Sequence, residues 1–142
     1  MKIAISESQY KRLFEQEEYV LQIPSLEYFN NDWNLLQKYL KSKGNPLYSI
    51  GGDLDLVGTS VESLENLISV GGNLDLSRTP IKSLGNLTSV GDGLRLRGTP
   101  IESLGNLTSV GGFLNLIGTP LSKMYDRDEI RKMVKVDGQL YL

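Results

Sequence analysis

One block of this chain returns every 20 residues. Leu47-Tyr48-Ser49-Ile50-Gly51-Gly52-Asp53-Leu54-Asp55-Leu56 comes back from Leu67, from Leu87 and from Leu107, with Thr59, Thr79, Thr99 and Thr119 also in phase. A fixed period of this length constrains the fold strongly. Each unit is one coil that cannot bury its apolar face alone, so successive units stack on a shared core. The expected architecture is a solenoid, and solenoids work through a surface rather than through a catalytic pocket.

Within each unit the pairs Leu54/Leu56, Leu74/Leu76, Leu94/Leu96 and Leu114/Leu116 alternate with variable residues. That is the period of a strand with one face inward. Gly51-Gly52, Gly71-Gly72, Gly91-Asp92-Gly93 and Gly111-Gly112 precede these strands, where positive-φ turns are expected. Thr79-Pro80-Ile81 and Thr99-Pro100-Ile101 are expected to turn the following corner. Val61, Ile81, Ile101 and Leu121 then point inward, as do Leu64, Leu84, Leu104 and Met124. Asn66, Asn86 and Asn106 recur at one place, with amides suited to buried backbone groups of the return arc.

The flanks divide the chain into an N-terminal helical cap (1–46), four solenoid units (47–125) and a last segment (126–142), all in one compact domain. Near the start, Ile3 and Ile5 allow a short extended segment, and Ser6 and Gln9 have the capping-box spacing of a helix through Glu18. Val20-Leu21-Gln22-Ile23-Pro24 reads as extended. Leu26, Phe29, Trp33, Leu36 and Leu40 then share one face of a helix capped by Ser25 and ended by Gly44 and Pro46. That helix is expected to cover the apolar edge of the first coil. At the other end, Asp126 and Glu129 again have capping-box spacing, with Arg131 and Lys132 toward the helix's end. Val136–Leu142 matches Val110–Leu116, so a fifth coil begins there. Its strand Leu140–Leu142 has an outer edge that the helix shields or that self-association uses.

Leu74-Asp75-Leu76-Ser77-Arg78-Thr79-Pro80-Ile81 is similar to the L-x-L-x-x-N-x-L strand segment of leucine-rich repeats, with Thr in place of Asn. The segment Leu87-Thr88-Ser89-Val90 and its glycine-led continuation resemble the repeat of receptor L-domains. This resemblance implies an α/β repeat fold, a short right-handed parallel β-solenoid with an N-terminal helical cap and a short C-terminal helix. The short unit leaves room for little helix on its outer side. Separately, Ile5-Ser6-Glu7-Ser8-Gln9-Tyr10-Lys11-Arg12-Leu13 resembles a leader found on short proteins of tailed bacteriophages. That likeness implies a phage-encoded accessory or virion-associated protein.

The chain has no histidine and no cysteine, which removes the usual near-neutral general base, the commonest metal ligand and any thiolate site. A net charge of −2 gives no global attraction to nucleic acid or anionic membranes. The start turns polar too early for a signal-peptide core, and no stretch approaches the roughly 20 apolar residues of a span. The expectation is a soluble, non-exported, non-enzymatic protein without cofactor, acting in a host-cell cytoplasm or in a virion.

Outward positions of stacked strands form ladders about 4.8 Å apart per rung. The first reads Asp53, Asn73, Gly93, Phe113, Gln139; the second Asp55, Asp75, Arg95, Asn115, Tyr141; the third Val57, Ser77, Arg97, Ile117. These are the places where an otherwise constant repeat varies. A protein partner is expected to use Asp55, Asp75, Arg95, Arg97, Phe113, Asn115, Ile117 and Tyr141, since arginine and aromatics dominate binding hot spots. The bland alternative is a solvated face in which Asp75 and Arg95 attract across one rung, worth about 0.2–1 kcal/mol. Two other readings are a structural role, packing by surface or edge into an assembly, and a glycan-binding or glycan-cleaving face using Asp53, Asp55 and Asp75.

Overall fold

The computed structural model describes Ser6 and residues 19–142. The extended segment at Ile3–Ile5, the helix expected through Glu18 and nearly all of the leader-like Ile5–Leu13 lie outside the described residues. Elsewhere the chain is α/β, with short helices flanking two parallel sheets of six and five strands. The six-stranded sheet runs β1 (Val20–Ile23), β2 (Leu47–Ile50), β4 (Leu67–Val70), β6 (Ser89–Val90), β8 (Ser109–Val110), β10 (Lys135–Val136). The five-stranded sheet runs β3 (Leu54–Asp55), β5 (Leu74–Asp75), β7 (Leu94–Arg95), β9 (Leu114–Asn115), β11 (Leu140–Tyr141).

Each 20-residue unit therefore gives one strand to each sheet, and the pairing follows the repeat: Leu74↔Leu94, Leu94↔Leu114, Val70↔Val90, Val90↔Val110. The fifth, partial unit joins in the expected register, Val136↔Val110 and Leu140↔Leu114. The alternating leucines line one core that continues from Ile23 to Leu140. Burying each such side chain contributes about 1.5–3 kcal/mol. The first unit departs from simple alignment. Tyr48, not Leu47, stands opposite Leu67, and the register shifts between Tyr48 and Ser49. The phenol is fully buried, donating to the Leu64 carbonyl at 3.0 Å and accepting from Gln37 Nε2 at 3.1 Å.

The glycines do other work than expected. None of the residues in the Gly-Gly steps before the five-stranded sheet has positive φ. They are small because the units stack closely there: a Cβ on Gly71 would run into the Gly51 carbonyl, one on Gly91 into Gly71, and one on Gly111 into Gly91. Left-handed geometry falls one corner later, at Gly58, Arg78, Gly98 and Gly118, and again at Glu65, Gly85 and Gly105. The threonine ladder closes the first of these corners. Thr59, Thr79, Thr99 and Thr119 donate their hydroxyls to Leu56, Leu76, Leu96 and Leu116 carbonyls at 2.8, 2.7, 2.8 and 2.6 Å. On the return limb a single bridge, Ser83↔Ser103, marks a third line of contact. Asn66 and Asn106 donate to the backbone carbonyls of Asn45 and Gly85, whereas Asn86 donates to the side chain of Asn66. These amides stitch neighbouring units from a mostly exposed position rather than from a buried one.

The ends also correct the reading. The helix expected from Leu26 to Leu40 is broken into a 3-10 turn (Leu26–Phe29) and α1 (Trp33–Ser42). Asn30 and Asn31 adopt φ of 56° and 55° between them, and Asp32 caps α1 by accepting from the Asn34 and Leu35 amides. The apolar stripe survives the break, with Leu26, Leu36 and Leu40 buried and Phe29 and Trp33 packed against the core. The extended Val20–Ile23 does more than lead in: β1 pairs with β2, so the six-stranded sheet starts before the repeat does. After Thr119 the chain turns into α2 (Pro120–Met124). Leu121 stays buried but Met124 is 56% exposed, because the helical turn ends the inward phase the repeat had set. α3 (Arg127–Met133) carries the expected capping box between Asp126 and Glu129. No described helix is long and apolar enough to cross a membrane.

Candidate functional site

The five-stranded sheet aligns the second ladder rung by rung. Asp55 faces Asp75, Asp75 faces Arg95, Arg95 faces Asn115 and Asn115 faces Tyr141. Three of these side chains are occupied locally. Asp55, Asp75 and Asn115 each accept, through Oδ1, the amide two residues on, at Val57, Ser77 and Ile117, at 3.1, 3.0 and 3.0 Å. Such turns hold the strand ends and take one carboxylate oxygen from Asp55 and Asp75. Asp53 likewise accepts from the Asn73 amide at 2.7 Å, and Asn73 Oδ1 from the Gly93 amide at 3.0 Å.

Arg95 has no such turn to make, and it does not pair with Asp75. Its guanidinium lies over the Phe113 ring, 4.6 Å from the centroid. Phe113 in turn meets Tyr141 edge-on at 6.2 Å, with planes 70° apart. The ring reaches this position because Gly93 occupies the rung beneath it. A Cβ on Gly93 would overlap the ring, and this rung holds Asp53 and Asn73 in the earlier units. Gly93 is itself buried under the ring. The result is one contiguous patch of guanidinium, phenyl and phenol, with Tyr141 44% exposed. A cation over an aromatic face contributes about 0.5–1 kcal/mol at an exposed site.

The third ladder borders a cleft of about 610 Å³ at the next corner, lined by Val57, Asp75, Ser77, Arg78, Arg97 and Gly98. Ile117 is half-buried at the same level, beside the patch in sequence but outside that cleft. The eight candidate residues thus share one outward face, but the structure joins only Arg95, Phe113 and Tyr141 by ring contacts. Reasoning from the repeat missed the part played by Gly93, although its departure from the ladder was visible. It also missed Arg78, which extends the arginine side of the cleft.

At the Leu140–Tyr141 edge, α3 reaches one outward carbonyl. Arg127 Nη1 donates to the Leu140 carbonyl, and Arg131 donates to Val136 at 2.9 Å and to Gly138 at 3.1 Å. Among the described residues, no group of three or more His, Cys, Asp or Glu is placed to hold a metal ion. Comparison with protein-family models, with curated proteins and with solved structures returned no match.

Proposed function

We propose that this chain is a short parallel β-solenoid that binds a protein partner through the outward face of its five-stranded sheet. The Arg95–Phe113–Tyr141 patch carries the reading: a part-exposed arginine stacked on one aromatic, with a second aromatic beside it, is the composition of a binding hot spot. Parallel coils of this kind are expected to wind right-handed. Two strands per unit and no helix on the return limb of the first three units favour a β-solenoid over a leucine-rich repeat with outer helices. The face performs recognition and no chemistry, and the setting is that of a phage-encoded accessory or virion-associated protein.

Asp55 and Asp75 each give one carboxylate oxygen to turn geometry, which on this reading accounts for them without glycan chemistry. Packing into an assembly through the last strand is disfavoured by the arginines on its outward carbonyls. The test is a pull-down with the chain as bait beside the double variant Arg95→Glu, Phe113→Ala. A partner captured by the native chain and lost with the variant supports the proposal. Retention of the same partner by a folded variant sinks it.

A further inference from the structure

The two ends of the five-stranded sheet are finished differently. At the last rung, Arg127 of α3 occupies the outward carbonyl of Leu140. At the first rung, β3 ends the sheet and no described strand lies beyond it. Leu54 and Leu56 spend their amides on Asn73 and Asp75 of the next unit, at 2.8 and 2.9 Å. By the alternation of a parallel ladder, the amides and carbonyls of Asp53 and Asp55 face the opposite way, onto the open edge. An unpaired row of this kind is a template for an added strand.

That edge opens into a cleft of about 720 Å³ between β3, the following return limb and the start of α1. Asp32, Asp55, Glu62 and Glu65 line it, with Trp33 among them and no lysine or arginine. Glu65 stands at a corner of the same cleft. It holds φ of 55° at the corner where the sister units have Gly85 and Gly105, at φ of 56° and 58°. A bulky residue in left-handed geometry is strained. The Glu65 carboxylate is thus held at the cleft at a cost to the fold.

We propose that this cleft receives an extended basic peptide segment of a partner protein, which adds to β3 as a sixth strand. Main-chain hydrogen bonds to Asp53 and Asp55 supply the pairing, and lysine or arginine at alternate positions meets Glu62, Glu65 and the carboxylate oxygens of Asp32 and Asp55 left over by their cap and turn. Opposite charges on adjacent rungs favour such a strand, and like charges oppose an acidic one. The site is separate from the Arg95–Phe113–Tyr141 patch and stands or falls without it.

The experiment titrates the full chain with a fluorescently labelled (Lys-Val)4 peptide, beside (Glu-Val)4 and a (Lys-Val)4 peptide N-methylated on alternate residues. The lysine peptide is expected to bind at least about tenfold more tightly than the acidic one, and N-methylation to abolish binding, because it removes ladder donors while keeping the charge. Hydrogen exchange at the Asp53 and Asp55 amides should slow on binding. Glu65→Gly should raise the unfolding midpoint yet weaken the peptide, a split that a purely structural role for Glu65 does not produce. Equal binding of the acidic peptide overturns the proposal, as does equal binding of the N-methylated one. Slow exchange at Asp55 in the free monomer also overturns it, since the chain then covers its own edge. So does a dimer that Glu62→Lys dissociates, which would name a second copy as the occupant.

Discussion

The Phe113 ring occupies the space left by the missing side chain of Gly93 one rung below. In the preceding units that rung carries Asp53 and Asn73, so this substitution by glycine creates the only aromatic shelf on the ladder. Gly93→Ala should push the ring off Arg95 and Tyr141 without touching the leucine core. The expected loss of stability is small, about 0.5–1 kcal/mol from the cation–ring contact. Loss of the ring-current shifts on the Arg95 side-chain protons, read by NMR, checks the displacement. Unchanged shifts would show that the ring does not depend on Gly93.

The close approach at Gly71, Gly91 and Gly111 is backbone on backbone, which leaves nothing flexible to give way. Gly91→Ala should therefore wedge two units apart and cost at least about 2–3 kcal/mol, as overpacking of a tight site does. Gly44 is the control: its φ is +85° but nothing lies within 4 Å of an added Cβ. Gly44→Ala should cost only about 1 kcal/mol of backbone strain. Urea midpoints for the two variants decide the matter, and equal losses would rule out the contact argument.

Arg78 holds φ of 57° in a series whose other members are Gly58, Gly98 and Gly118. Returning it to the series relieves the left-handed strain, so Arg78→Gly should stabilise the chain by about 0.5–1 kcal/mol. If Arg78 also serves the neighbouring cleft with Arg97, the same variant weakens partner capture while it raises the midpoint. A fall in the midpoint would mean that the arginine side chain contributes more than its backbone costs.

Most of the five-stranded sheet was legible because the leucine pairs keep strict alternation and the 20-residue period fixes their register. The partial fifth unit and the Asp126–Glu129 capping box were legible for the same reason, since both are local patterns at fixed spacing. The six-stranded sheet was not. Its later strands are two residues long, such as Ser89–Val90, and show no alternation to detect. The pairing of β1 with β2 spans an intervening helix and leaves no local trace. The break at Asn30-Asn31-Asp32 was written in residues that favour left-handed and capping geometry, but the spacing of the apolar stripe masked it. At the candidate site the ladder membership was readable. The turn toward Phe113 by Arg95, away from Asp75, depends on the Phe113 ring lying over Gly93, a contact that only the stacked structure reveals.

Tyr48 ties stability to pH. Its phenol is driven well above its ordinary value, chiefly by burial, with Glu65 adding to the shift and the Gln37 hydrogen bond opposing it. The folded chain therefore keeps this proton where the unfolded chain releases it, from about pH 10 upward. The unfolded state then binds fewer protons, so this contribution to stability is whole below about pH 10 and is lost as pH rises beyond it. Tyr48→Phe removes the effect and one of the two donors to the Leu64 carbonyl, which keeps the Leu67 amide at 3.2 Å, so it costs about 0.5–1.5 kcal/mol near neutrality. The gap between native and variant midpoints should narrow above about pH 10. A gap that stays constant across that range would show that Tyr48 does not carry the linkage.

Arg127 and Arg131 stand four residues apart on α3 and together hold the outward carbonyls of Leu140, Val136 and Gly138. These are the groups to which a further unit would donate, so the two side chains substitute for the next rung of both sheets. Replacing both by alanine leaves the carbonyls to water and frees the strand edge for another chain. Stability should fall by about 1–2 kcal/mol, the range for hydrogen bonds with one charged partner that are partly open to solvent. The variant should also sediment as a concentration-dependent mixture where the native chain does not. Arg131→Lys keeps one donor and should recover part of both effects. A double variant that sediments and unfolds like the native chain would show that α3 shields the edge by position alone.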